Sequence, residues 1–340
     1  MAGARQERGD RTAVTLRVAV AGAGWVSAFH LSAWKSLPDV EVVAICDPQL
    51  ARAETRARAF GIPRAYSDAA EMLEATRPDA LDIAAPVEVH GALCRLAADH
   101  GVHILCQKPL AATLEVARQT AADVAGRVRL MVHENWRFRP QYRQIRRWLD
   151  EGALGKPVSC AMRVRSSGLL ADADGKFTQL ERQPFFATLQ RLLIGEVLVH
   201  HLDVVRWLMG PLKVLAADSG KSCPVVRGED RAVILLAGED RYAVVDGSLV
   251  AAGTPSKTHD QFELLGTRGA AFFADDQLRL AGVRDEVVHI DAQAAYQASY
   301  AGAIGHFASA LATGERFETE PSDNLQTLAL VEDAYAMARS

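Results

Sequence analysis

Between Leu16 and Glu134 the chain alternates short apolar runs with amphipathic stretches. Leu16–Ala21, Val40–Cys46, Ala80–Ala85, Val102–Cys106 and Val128–His133 are near-continuously apolar, as strands of a parallel sheet covered on both faces are. Between them, Pro48–Phe60, Glu88–His100 and Thr113–Ala125 read as helices. Repeated strand–helix units joined by short links predict a doubly wound parallel sheet, α/β in class, over residues 15–135. After Arg137 the pattern changes. A helix is predicted over Gln141–Glu151. In Pro157–Arg165, Cys160, Met162 and Val164 alternate with Ala161, Arg163 and Arg165, which predicts a half-exposed strand. Gly168–Pro184 is polar and aperiodic and is expected to be a surface loop, and Phe186–Met209 a helical region. Lys213–Gly220, Arg231–Leu236, Arg241–Val250, Phe262–Gly266, Ala270–Phe273 and Val287–Ile290 follow at hairpin spacing, so a large, mostly antiparallel open sheet is expected in an α+β domain over 136–340. Helices over Tyr300–Thr313 and Ser322–Ala338 close the chain.

Composition narrows the partners. With 340 residues the chain accommodates two domains, and 49 % apolar against 24 % charged residues is a soluble globular balance. A net charge of −4 gives no reason to expect nucleic acid or an anionic membrane surface, and no apolar run is long enough to span a bilayer. Residues 1–14 carry Arg5, Arg8 and Arg11 but no apolar segment. They are expected to form a disordered extension rather than a secretory signal. The five scattered cysteines, with no Cys-x-x-Cys pair, point to a reducing compartment and hence the cytoplasm.

The first chemical signal follows the first strand. In VAVAGAGWVSAFHLSAW, Gly22 permits a tight turn and Gly24 lets a pyrophosphate approach the backbone. Trp25 and Val26 then lead into a helix whose N-terminal N–H groups and dipole favour an anion. The third small position is Ser27. Asp47 ends the second strand about 20 residues on, where a carboxylate accepts hydrogen bonds from a ribose diol and repels a 2′-phosphate. The cofactor expected is therefore NAD rather than NADP. A second signal lies in Phe186–Met209. Glu196, His200, Asp203 and Trp207 fall on one helical stripe, while the other faces are apolar. A polar stripe on a buried helix either hydrogen-bonds neighbouring elements or faces a cleft. No further ligand cluster accompanies it, and no metal is expected.

The segment AAPVEVHGALCRLAADHGVHILCQKPLAATLEVA resembles the glucose–fructose oxidoreductase, inositol dehydrogenase and MocA (Gfo/Idh/MocA) family. The matching pieces run in order along nearly the whole chain: Gly22-Ala23-Gly24, Pro86 with His90, Gln107-Lys108-Pro109, Asn135-Trp136-Arg137-Phe138 with Pro140, and Glu196 to Gly210. The resemblance implies a Rossmann domain followed by an open-sheet domain, and hydride transfer between NAD and a sugar, polyol or related cyclic hydroxyl compound. It also implies a lysine beside the nicotinamide, Lys108, and a histidine, His200, preceded four residues earlier by an acid, here Glu196 in place of the usual Asp. Gln107 stands where the family has Glu, and Leu198 where Gly is common. Arg182-Gln183-Pro184-Phe185-Phe186 further resembles D-apiose dehydrogenases of that family.

These readings assign roles. Lys108 and His200 handle the reacting oxygen and its proton, either serving as base, and Glu196 orients the imidazole or binds a hydroxyl. Trp25, Val26, Pro86, His90, Gln107, Asn135 and Arg137 join the glycines, Asp47 and Lys108 around the cofactor, with a structural ion pair the alternative for Arg137. Arg182 and Asp203 are substrate candidates. The open sheet is expected to be covered by another subunit, giving a homo-dimer or homo-tetramer. Two other readings stand beside the dehydrogenase: an NAD-retaining enzyme of net non-redox chemistry, and a catalytically silent NAD-binding regulator.

Overall fold

The computed structural model describes residues 15–338, so the expected extension over 1–14 lies outside the described residues. The first half builds β1 (Leu16–Ala21), α1 (Ser27–Lys35), β2 (Val40–Cys46), α2 (Leu50–Phe60), β3 (Ala65–Tyr66), α3 (Ala69–Thr76), β4 (Ala80–Ile83), α4 (His90–Asp99), β5 (His103–Gln107), α5 (Leu114–Val124) and β6 (Leu130–His133). The six strands form one parallel sheet in the order β3-β2-β1-β4-β5-β6. Continuous burial of Val18–Ala21, Ala80–Ile83 and Leu130–His133 is what two covered faces require. The strand order reverses between β1 and β4, the place where open α/β sheets bind ligands.

The second half runs α6 (Pro140–Asp150), β7 (Pro157–Arg165), α7 (Thr178–Arg182), α8 (Val199–Met209), β8 (Lys213–Gly220), β9 (Arg231–Ala237), β10 (Tyr242–Ser248), β11 (His259–Gly266), β12 (Gly269–Ala274), β13 (Gln277–Gly282), β14 (Glu286–His289), α9 (Ala292–Thr313) and α10 (Pro321–Met337). Eight strands make a sheet in the order β14-β13-β12-β11-β7-β10-β9-β8, antiparallel except between β7 and β10. One face is core, with Met162, Ile234, Val245, Leu264 and Leu278 buried. The other face carries Val233 and Val287, each well exposed.

Several expectations shift. The β3–α3 pair escapes the apolar pattern because β3 has two residues and α3 eight, although Asp68 caps α3 by accepting from Glu71 N. Strand β13 is reached through Asp275 and Asp276, both at positive φ, a tight hairpin turn built without glycine. The expected loop 168–184 contains α7. The region 186–209 is not one helix: a 3₁₀ turn over Pro184–Ala187 and a wide π turn over Leu193–Leu198 precede α8. Helix α9 begins at Ala292, where Asp291 caps it, well before Tyr300. It also leaves the second domain, in which the 136–340 expectation had placed it. Tyr300, Ile304 and Phe307 join Leu31 and Trp34 of α1 in one core, because α9 offers the apolar cover the first sheet needs on that side.

Candidate active site

The Gly22 turn is dictated by space. Gly22 has φ 106°, and a Cβ there would lie 2.2 Å from the Ala84 carbonyl oxygen. Gly24 differs: a Cβ there would meet nothing within 4 Å. The turn therefore packs on β4 through Gly22 and opens outward at Gly24. Val26 supplies no side-chain cap to α1, so the first N–H groups of that helix have no capping side chain. Ser27 is buried and its hydroxyl donates to the Gly24 carbonyl, 2.7 Å, which suits a small residue in the third position. Asp47 accepts from Ala23 N (3.0 Å) and Gln49 N (2.9 Å), holding its carboxylate against the turn. Trp25 is 59 % exposed at the lip, edge-on to Phe29. These features fit a dinucleotide: a turn open to pyrophosphate, an uncapped helix start and a carboxylate at the end of β2.

At the end of β4, Pro86 opens a short turn and His90 starts α4. The His90 ring lies 2.9 Å from both the Ala85 and Pro109 carbonyls. It thus ties the β4 and β5 loops together, and burial lowers its pKa. At the end of β5 the Lys108–Pro109 peptide is cis. Gln107 accepts from Lys108 N through Oε1 (2.7 Å), while its Nε2 faces His30 Nε2 at 3.1 Å. His30 Nδ1 in turn meets Asp82 at 2.9 Å, and Asp82 accepts from Trp34 Nε1 at 2.7 Å. The amide in place of Glu thus lets one side chain donate to an imidazole nitrogen and accept from the backbone of Lys108. Lys108 Nζ donates to the Glu196 carbonyl oxygen (2.9 Å) and meets Glu196 Oε1 at 3.0 Å.

Glu196 is presented by the π turn. Its N-terminal side is held by Glu229, which accepts from Leu192 N and Ile194 N, and by Tyr335, whose hydroxyl accepts from Gly195 N. Leu198, where the family favours Gly, is fully buried, and its side chain occupies the space a Cβ on Gly247 of β10 would need.

His200 sits 2.5 Å through Nδ1 from Oε1 of Glu134, the residue directly after β6. Trp136 stacks on the imidazole, centroids 4.1 Å apart and planes 12° apart, and Arg139 lies over the same indole at 3.8 Å. Burial first, then the charge of Lys108, pushes the His200 pKa well below its ordinary value. Glu134 is wholly buried and its Oε2 has no partner. Burial and then the nearby Asp203 charge push its carboxyl up to about 8. The residue that orients the imidazole is therefore Glu134, whereas Glu196 holds Lys108.

Four expected site residues make structural contacts with the protein itself. Arg137, expected near the cofactor, is buried and donates to Asp203 (2.6 and 2.8 Å), Asp323 (2.7 Å) and the Glu318 carbonyl (3.0 Å). Asp203, a substrate candidate, is wholly buried in that cluster and also accepts from Thr327. Burial raises its carboxyl, but the Arg137 charge more than offsets this and holds it below the ordinary range. Such a pair forms because neither charge tolerates burial alone. Asn135, likewise expected at the cofactor, donates to Ser299 Oγ of α9 at 2.7 Å. Arg182, the other substrate candidate, holds α7 to the Ser256 carbonyl at 2.9 Å. Sequence reading missed Glu134 and the His30–Asp82 pair. Glu134 adjoins the Asn135 motif, whereas His30 falls within a helix and is tied to Asp82 only by the sheet.

The profile described as "Oxidoreductase family, NAD-binding Rossmann fold" matches residues 16–134, and the "GFO/IDH/MocA C-terminal domain" profile residues 142–272. The chain belongs to the Gfo/Idh/MocA oxidoreductase family. It is 36 % identical to a D-apiose dehydrogenase of Paraburkholderia graminis, over 94 % of this chain and 87 % of that one. A second D-apiose dehydrogenase, of Rhizobium rhizogenes, is 31 % identical over 95 % of each chain. An oxidoreductase from Agrobacterium radiobacter, solved in complex with NAD+, L-tartaric acid and magnesium, superposes with a TM-score of 0.88 at 30 % identity, covering 95 % of this chain and 96 % of that one. The fold also matches levoglucosan dehydrogenase, solved with NADH and levoglucosan, with a TM-score of 0.82 at 21 % identity over 95 % of this chain and 98 % of that one. This chain is an NAD-binding oxidoreductase of the family that acts on CH–OH groups of sugars or polyols. Among the described residues no helix is long and apolar enough to cross a membrane.

Proposed function

We propose that Lys108 and His200 together handle the reacting hydroxyl of a small sugar, and that the pentose class implied by the D-apiose dehydrogenase relatives is the substrate. One observation carries the reading. Lys108 leaves β5 and Glu134 follows β6, so adjacent strand ends present an anchored ammonium and a paired imidazole on the side of the sheet where the Gly22 turn opens. When bound, the nicotinamide accepts or returns the hydride. The turn at Gly22 and Gly24, with the N-terminus of α1, would hold its pyrophosphate. Asp47 would take the adenosine ribose and favour NAD over NADP. Trp25, Val26, Pro86 and Gln107 frame the same edge.

Each polar side chain has a distinct task. Glu196 fixes the Lys108 ammonium, which donates to the reacting oxygen and stabilises alkoxide character. His200 is the base. Nδ1 is engaged by Glu134, which leaves Nε2 to take the hydroxyl proton, and a depressed pKa keeps the ring neutral for that purpose. The exposed face of the second sheet, with Leu215, Val233 and Tyr242 outward, is the proposed subunit interface of a homo-dimer or homo-tetramer. Five free, buried cysteines agree with a cytoplasmic setting.

The test is a sugar and polyol panel assayed with NAD and NADP separately, followed by Lys108→Ala. Reduction of NAD by a pentose is expected, and the variant should lose ~10²-fold or more in kcat while still binding NAD. Near-normal turnover in the variant would refute the assignment of Lys108.

A further inference from the structure

We propose that Glu134 and His200 act as one proton store whose occupancy is tied to the oxidation state of the bound nucleotide: empty beside NAD+, filled beside NADH. This rests on the reading that NAD(H) occupies the site, but not on any particular substrate.

The surroundings single out this pair. The charges that face His200 are Lys108, Glu196 and Arg139, with His201 beside them; those that face Glu134 are Lys108, Asp203 and Arg137. Lys108, Arg137 and Arg139 each have a carboxylate partner. Lys108 meets Glu196 at 3.0 Å, Arg137 meets Asp203 at 2.6 Å, and Arg139 meets Asp260 at 3.1 Å. His201 also leans on Asp260. His133, next to Glu134, is held uncharged by burial. The neighbouring charges therefore cancel pairwise, and Glu134–His200 remains as the group whose charge can change. The Glu134 carboxyl is built for it: one oxygen grips the imidazole, and the other is buried without a partner, a costly arrangement for an anion and a mild one for an acid.

The proton balance closes. Before oxidation Glu134 is a carboxylate and His200 a neutral ring protonated on Nδ1. The substrate hydroxyl gives its proton to Nε2 as its carbon gives up hydride, the Nδ1 proton passes to Glu134 Oε1, and a carbonyl is left. The pair ends as a carboxylic acid beside an imidazole protonated on Nε2. The oxidised nicotinamide ring is a cation and the reduced ring is neutral. One negative charge vanishes as one positive charge does, so the buried site keeps its net charge and the surrounding dipoles need not reorganise.

The free protein at neutral pH should hold the proton, because burial favours the acid form. NAD+ should then expel it on binding, whereas NADH should leave it in place. Isothermal titration calorimetry of each nucleotide at pH 7, in phosphate and in Tris, reads the protons exchanged from the dependence of heat on buffer ionisation. NAD+ is expected to release ~0.3 proton or more beyond NADH. The ratio of the two dissociation constants, NAD+ over NADH, is expected to fall as pH rises from 6 to 8, by at most about tenfold per unit. Both effects should disappear in Glu134→Gln, an isosteric change that keeps the imidazole contact, and persist in Glu134→Asp. Equal proton release by the two nucleotides in the unmodified protein, or a difference that survives in Glu134→Gln, would overturn the proposal. A sugar panel without turnover would instead overturn the substrate reading and leave this linkage measurable.

Discussion

Two glycines two residues apart do different work. Gly22 is required by the protein's own backbone, since φ 106° and the Ala84 carbonyl leave no room for a side chain. Gly24 is not, because the space beside it is empty. Gly22→Ala should therefore destabilise the apoprotein, by about 1–3 kcal/mol for forcing a side chain into that conformation, and lose NAD binding with it. Gly24→Ala should leave the apoprotein melting temperature unchanged while weakening NAD binding by about tenfold or more. Thermal melts with and without NAD separate the two, and an unchanged NAD shift in Gly24→Ala would show that the turn does not carry the pyrophosphate. Both glycines were legible as a motif, but their division of labour was not, because the Ala84 carbonyl that decides it lies on another strand.

At the scale of elements, the polar stripe on the Phe186–Met209 region was visible as a spacing, and its three charged or titratable positions do meet side chains at or just after the ends of β5 and β6. Their partners were not visible. Glu196 meets Lys108 from β5, His200 meets Glu134 from β6, and Asp203 meets Arg137 from the turn after β6. The π turn matters here because it delivers Glu196 separately from the regular helix that carries the other two. Arg137 serves as the buried tie among that turn, α8 and α10. Arg137→Ala would leave the buried Asp203 with the more distant Arg206, 3.6 Å away, as its remaining counter-charge, and a loss of about 3 kcal/mol in unfolding free energy is expected. Replacing both partners, Arg137→Met with Asp203→Leu, should recover most of it, since Arg206 and Asp323 keep their own 2.7 Å contact. Denaturant unfolding of the three proteins checks this; a single variant as stable as its parent would deny Arg137 the structural role.

At the scale of the whole molecule, the second sheet is covered by helices on one side only. Its open face sets Val233, Leu235, Val244 and Phe272 among charged neighbours such as Asp246 and Arg279, a mixed surface that suits a subunit contact. Light scattering at micromolar concentration should give at least twice the 36.8 kDa chain mass, and Val233→Glu with Leu235→Glu should reduce it towards one chain. A monomeric mass for the unmodified protein would refute the interface.

The sequence by itself determined the two sheets, their parallel and antiparallel character, the NAD turn, the family, and Lys108 and His200 as the residues on which to bet. These signals are local: an apolar period, a short motif and a helical spacing are all written within a few tens of consecutive residues. Only the tertiary structure decided that Glu134 rather than Glu196 holds the imidazole, that Arg137 and Asp203 neutralise each other in a buried pair, and that α9 returns to the first sheet. Each of those depends on residues brought together from separate elements, up to 186 positions apart for Arg137 and Asp323. Charge compensation, burial and close packing act on distance in space, which the order of residues along the chain does not record.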